Sequence, residues 1–220
     1  MDQNSVSQAV AEIRGRIDRA GGAHVALVAV TKTFGSDAWR FARVAGCDAV
    51  GENYAQEVVA KAVEIAVTDR LPVHFIGQLQ TNKVKMLADI IDLWQSVDRV
   101  SVITEIAKRS KKPLIEAFIQ VNLTDEPDKG GCDPSEVGSL LQVARDSGVA
   151  ITGLMTVGPT SGEPMQTRLA FRKLRVMAND FGLQQCSMGM TGDLEIAVEE
   201  GSTMVRIGSA IFGNRPSPTR

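Results

Sequence analysis

The chain has 220 residues, of which 44% are hydrophobic and 23% charged, enough for one large core, and the expectation is a single domain over residues 1–220. Its formal net charge of -2 and pI near 5.8 lack the basic footprint of a protein that neutralises many phosphates, which removes nucleic acid from the expected partners. No apolar run approaches the roughly 20 residues that cross a bilayer, and no basic-then-apolar leader opens the chain, so the expected location is the cytoplasm with no membrane partner.

The scarce residues narrow the chemistry. Cys47, Cys132 and Cys186 are widely spaced and form no C-x-x-C pattern, so they read as ordinary thiols rather than as a disulfide framework, and no metal site is expected. With only two histidines, His24 and His74, and one tyrosine, Tyr54, there is little material for a His cluster or a His-based triad.

Along the chain, a leading helix is expected from Ser5-Val6-Ser7-Gln8, which fits a capping box, with Val6, Val10, Ile13 and Ile17 on one apolar stripe and Gly21-Gly22 ending it. The first strand is predicted over 24–30, followed by a short helix carrying Phe41 and Val44 that stops at Gly46. Seven more strands are predicted over 48–50, 73–76, 93–96, 114–121, 150–155, 185–188 and 203–207. Amphipathic helices lie between them. The one after 48–50 carries Val58, Val59, Ala62 and Ile65, and the one after 114–121 starts at Asp133-Pro134-Ser135-Glu136, which supplies an N-cap, a Pro at the first helical position and a capping-box Glu. Eight strands alternating with helices fit an open doubly wound sheet or a closed (β/α)8 TIM barrel. The count of eight, and the lack of a G-x-G-x-x-G turn after the first strand, favour the α/β class of a single barrel with an extra N-terminal helix.

A barrel gathers its site at the C-terminal ends of the strands. Lys32 follows seven uncharged residues at the end of the first strand, where apolar walls would lower its pKa and free a neutral amine for attack on a carbonyl; a Lys snorkelling to solvent is the alternative. Ser187-Met188-Gly189-Met190-Thr191-Gly192 after the seventh strand and Gly208-Ser209-Ala210 after the eighth could form a phosphate cup, or could be turn formers. Arg206 is a charge in an otherwise apolar strand, which points it into the site. An amine, a phosphate cup and an Arg together describe a pocket for a phosphorylated aldehyde held as an imine, and pyridoxal 5'-phosphate is such a molecule.

The sequence also resembles the pyridoxal-phosphate homeostasis proteins, from Leu27 to Arg215. The resemblance is carried by Leu27-Val28-Ala29-Val30-Thr31-Lys32-Thr33, by Gly51-Glu52-Asn53-Tyr54 with Gln56-Glu57, and by His74-Phe75-Ile76-Gly77 followed by Leu79-Gln80 and Asn82-Lys83. It continues through Ser96-Val97-Asp98, Gln120-Val121-Asn122 with Lys129 and Gly131, Gly153-Leu154-Met155-Thr156 and Ser187-Met188-Gly189-Met190, and ends with Gly201 to Gly208 and Ile211-Phe212-Gly213. It implies a barrel of the alanine racemase N-terminal type carrying pyridoxal phosphate (PLP) as an internal aldimine on Lys32. It further implies Arg206 facing the pyridine nitrogen, Asn53 lining the ring, and Ser187, Met188, Gly189, Gly208 and Ser209 holding the phosphate. Two departures stand out: Gln78 replaces a His common in the family, and Thr191 replaces a Ser.

The resemblance implies a protein that maintains vitamin B6 homeostasis, with no catalytic residue of its own and with PLP-dependent apo-enzymes as possible recipients. A racemase needs a second base, and the 220 residues are expected to leave no sequence for the β-domain that supplies it in alanine racemase. The alternatives are a small PLP-dependent racemase or decarboxylase that uses Lys32 and Tyr54, and a sugar-phosphate barrel enzyme with Lys32 as its Schiff-base lysine. Tyr54 is expected to pack at the mouth with its hydroxyl on a local partner, Lys129 to be a solvated loop charge, and the chain to be a monomer or weak dimer.

Overall fold

In the computed structural model, which describes residues 2–124, 126–127 and 129–213, eight parallel strands close into a barrel in sequence order. They are β1 (Ala26–Val30), β2 (Ala49–Glu52), β3 (Val73–Phe75), β4 (Leu93–Val97), β5 (Glu116–Gln120), β6 (Ala150–Met155), β7 (Gln185–Ser187) and β8 (Met204–Ile207). The pairing of β1 with β8, in the register Ala26↔Met204 to Ala29↔Ile207, decides for the closed barrel over the open sheet. The resemblance's last residue, Arg215, lies outside the described residues.

Helix α1 (Gln3–Arg19) precedes the barrel and buries Val6, Val10, Ile13 and Ile17, the stripe expected from the sequence. It starts earlier than expected, because the Asp2 side chain, not Ser5, caps it by accepting the Ser5 N–H. The helices between strands are α2 (Asp37–Val44), α3 (Ala55–Glu64), α4 (Thr81–Leu87), α5 (Val100–Arg109), α6 (Val137–Asp146), α7 (Pro164–Asp180) and α8 (Leu194–Glu199), with α9 (Ser209–Phe212) after β8. On α2 the buried face is Ala38, Trp39 and Ala42; Phe41 packs against the core half-buried, as expected, whereas Val44 is exposed, contrary to expectation. Ahead of α6, both arms of the Asp133–Glu136 capping box are present across a 3-10 turn.

Strand parity divides the core. Val28, Ala49, Leu93, Phe118, Met155 and Met204 pack together inside the barrel. Their outward neighbours, among them Leu27, Ala29, Val50, Phe75, Trp94, Ile119, Leu154, Val205 and Ile207, pack under the helices in the larger core. The interior is a packed layer, as small barrels require. All three cysteines are buried and free, and burial pushes the thiols of Cys47 and Cys132 up to about 12 and that of Cys186 to about 11, which makes them inert.

Phe118, fully buried, is the largest member of the interior layer. Phe118→Ala should cost about 3–5 kcal/mol in urea unfolding, since the closed strands around it cannot collapse into the void; a loss below about 1 kcal/mol would place Phe118 elsewhere.

Candidate functional site at the barrel mouth

Arg206 enters the barrel interior because it shares the inward parity of Met204 on β8, and its register partner on β1 is Val28. It is 5% exposed. Its Nη1 donates to Ser187 Oγ at 2.6 Å and its Nη2 to the Thr156 carbonyl at 2.9 Å. Burial lowers its pKa to about 10, with Asp193 acting in opposition, so it remains a cation at neutral pH. Lys32 lies in the turn after β1, half-buried, two residues beyond Val30.

A polar chain runs down the interior from Arg206. The Ser187 hydroxyl donates to Gln95 Oε1 at 2.6 Å, and Gln95 Nε2 lies 2.8 Å from His74 Nδ1. An amide nitrogen only donates, so His74 accepts at Nδ1 and is neutral. Burial lowers its pKa to about 4 despite the field of Asp92. His74 also lines a cavity of about 370 Å³ with Pro72, Asp92, Glu116 and Gln185, residues at or before the N-terminal ends of their strands, so it sits at the end of the barrel opposite Lys32.

Asn53 follows β2 with the inward parity of Ala49 and Gly51, and its Oδ1 is buried without a hydrogen-bond partner among the described residues. The β3–α4 loop presses against it. A Cβ on Gly77 would stand 2.3 Å from the Asn53 carbonyl oxygen, so only glycine permits this approach. Tyr54 is 51% exposed and caps α3 through its backbone. Contrary to expectation, its hydroxyl makes no hydrogen bond among the described residues. Gln78 is exposed.

The two cup loops are built for more than one purpose. Gly189 has φ +100°, and a Cβ there would lie 2.5 Å from that of Ala197, so its glycine serves the packing of α8 as well as any ligand. Gly208 lies against β1, where a Cβ would meet Val30 Cβ and O at 3.3 Å, and Ser209, exposed, opens α9. The hydroxyl of Ser187 is fully buried between Arg206 and Gln95. The Met188 N–H donates to the Met204 carbonyl, its C=O accepts from Ser202, and its side chain is in the outer core. The structure thus brings Lys32, Asn53, Arg206, Gly189, Gly208 and Ser209 to the mouth, and sets the Ser187 hydroxyl and Met188 N–H into the barrel's own bonding. Asp193, whose pKa burial raises, accepts the Met190 N–H and shapes this loop. Helix α1 pins it from outside, with Arg16 donating to the Thr191 carbonyl at 3.0 Å and to Glu195 at 2.7 Å.

Sequence reasoning missed a buried polar cluster behind β1, formed by Thr31, Trp39, Glu52 and Lys61. One signal was readable: Lys61 falls at i+3 from Val58, with Ala62 at i+4 and Ile65 at i+7, so a lysine stands in the apolar stripe of α3. Lys129 is not a solvated charge. It pairs with Glu126 at 2.9 Å and donates to the Gly158 carbonyl at 2.5 Å, joining the loops after β5 and β6. Outside the barrel, a cavity of about 980 Å³ is lined by residues that include Asn122, Asp133, Arg172 and Val176; none of the expected site residues lines it.

The family model of the alanine racemase N-terminal domain matches residues 2–216. A pyridoxal phosphate homeostasis protein of Pseudomonas aeruginosa is 36% identical over 220 residues, covering 96% of this chain and 94% of that one. The chain belongs to this family. The structure of PipY from Synechococcus elongatus without PLP has a TM-score of 0.84 and 31% identity, covering 94% of this chain and all (100%) of that one; its PLP-bound structure has a TM-score of 0.80. An alanine racemase of Streptomyces lavendulae shares the fold at a TM-score of 0.78 and 19% identity, and the match covers 99% of this chain and 59% of the racemase.

The neutral, buried His74 makes stability depend on pH. Its folded pKa of about 4 lies below the ordinary histidine value of 6.5, so the unfolded chain takes up a proton that the folded chain refuses. Its contribution is complete above pH 6.5 and declines as the pH falls to about 4, by about 3 kcal/mol. In urea unfolding, the stability gap between wild type and His74→Gln should narrow by that amount between pH 7 and pH 4; a gap independent of pH would show that His74 is not held neutral.

Proposed function

We propose that the protein holds pyridoxal 5'-phosphate reversibly on Lys32 and maintains its supply, without a dedicated reaction of its own. The observation that carries this reading is the buried Arg206 cation. It makes no ion pair among the described residues, and it lies in the barrel interior beneath the mouth that Lys32 shares. A cation so placed is costly unless it serves a ligand, and the Asn53 Oδ1, buried with no hydrogen-bond partner among the described residues, fits a polar ligand at the same mouth. The PLP bound to PipY and the name of the Pseudomonas relative support the same ligand.

When bound, the cofactor supplies an aldehyde. Lys32 provides the amine for it, and Arg206 offers a hydrogen-bond donor in place of an acid at the ring nitrogen, which weakens the ring as an electron sink. Gly189, Gly208 and Ser209 offer backbone and hydroxyl donors to the phosphate. Ser187 acts through Arg206, whose guanidinium it orients. Tyr54, the candidate second base, is half exposed, and His74 is at the far end, which supports a carrier over a racemase. PLP-dependent apo-enzymes in the cytoplasm are the recipients we infer, with the carrier a monomer or weak dimer.

Protein mixed with PLP should develop an imine absorbance band, and borohydride reduction followed by mass spectrometry should find one adduct, on Lys32. Lys32→Ala should lose the band. A colourless protein, or an adduct confined to another lysine, would overturn the reading; formation of D-isomers or CO2 from a panel of L-amino acids would replace the carrier with an enzyme.

A further inference from the structure

Thr33 is the only non-glycine residue with a positive φ, +70°, among the described residues. A left-handed conformation at a β-branched residue is strained and persists only where neighbouring groups impose it. It stands immediately after Lys32.

The restraint comes from the cluster behind β1. The Thr33 N–H donates to Glu57 Oε2 at 2.7 Å. On the other side of Lys32, the Thr31 carbonyl accepts from Lys61 Nζ at 2.7 Å. The two peptide units that meet at the Lys32 Cα are therefore each gripped by a side chain of α3, one through its oxygen and the other through its N–H. The grips converge, because Glu57 Oε2 is 3.7 Å from Lys61 Nζ. Lys61 is in turn held by Glu52 Oε1 at 2.6 Å, which also accepts from the Thr31 hydroxyl and from Trp39 Nε1.

Stability alone does not account for this arrangement. The side chains of Lys61 and Glu52 are 5% and 0% exposed, and a buried ion pair generally gains nothing over well-packed apolar residues. Glu52 Oε2 is buried with no hydrogen-bond partner among the described residues, an added cost. An apolar replacement would fill the same layer but could not hold a carbonyl and an N–H on either side of one residue.

We propose that Lys61 and Glu57 are positioning residues for the Lys32 amine, fixing its backbone so that the side chain meets an aldehyde at the mouth in attack geometry. The inference rests on the carrier reading. In the step concerned, Lys32 Nζ forms a bond to the aldehyde carbon, the carbonyl oxygen leaves as water with two hydrogens from the amine, and nothing is oxidised or reduced.

The test compares PLP with pyridoxine 5'-phosphate, which has an alcohol in place of the aldehyde and cannot form the bond. Glu57 is 30% exposed, so its replacement spares the core. Glu57→Ala should slow covalent attachment of PLP about tenfold, as misplacing a reacting group does, while affinity for pyridoxine 5'-phosphate stays within about twofold of wild type. Glu57→Gln, which keeps an oxygen for the Thr33 N–H, should restore the rate to within about threefold of wild type. Lys61→Met should slow attachment more than Glu57→Ala. Wild-type attachment rates in Glu57→Ala, or parallel loss of both ligands, would overturn the positioning role with the carrier reading intact. Absence of any Lys32 adduct in the wild type would instead overturn the carrier reading and the inference with it.

Discussion

The parallel pairing of β1 with β8 is the contact on which the barrel and its mouth depend. It closes the sheet, and its register sets Arg206 opposite Val28 and Gly208 against Val30. Residues nearly the whole chain apart thereby share one mouth. Arg206 lies on one strand of this seam and Lys32 in the turn that follows the other, so the hydrogen bonds that remove the sheet's free edges bring both to the same end of the barrel.

Because side chains alternate across a strand, the seam has two polar systems on opposite sides. Inside, Arg206, Ser187, Gln95 and His74 form a chain from the mouth to the far end, and each link fixes the donor direction of the next. Outside, Glu52, Lys61, Trp39 and Thr31 form a cluster between β1, β2 and the helices. Both systems place charge in low-dielectric surroundings, where only near-complete hydrogen bonding makes it tolerable. Both also end at the mouth, the inner one at Arg206 and the outer one at the peptides around Lys32. On the proposed reading, the backbone that would present the Lys32 amine to an aldehyde is held by charged side chains rather than by apolar packing alone.

Local pattern carried most of the architecture. The α1 stripe and the Asp133–Glu136 capping box appear where periodicity and cap chemistry put them, because both are decided by neighbours within a few residues. The ends of elements were less legible: Asp2 rather than Ser5 caps α1, and Trp39 rather than Val44 is the buried side chain of α2. Those outcomes depend on which groups the rest of the chain leaves uncovered. Among site residues, Lys32 and Arg206 were legible as charges adjoining apolar strands. The role of Ser187 was not, since its partners Gln95 and Arg206 are on other strands.

The sequence by itself determined the alternation of strands and helices, the glycine-rich loops after β7 and β8, and the shortage of histidine and tyrosine that limits the chemistry available to this chain. Those are properties of composition and short-range spacing. Only the tertiary structure decided that the sheet closes, that Ser187 bonds inward and that Lys129 is paired. It also decided that two helix residues, Lys61 and Glu57, grip the backbone on both sides of Lys32. Hydrogen bonds between residues more than twenty positions apart have no local signature, because the chain must first bring their donors and acceptors within about 3 Å.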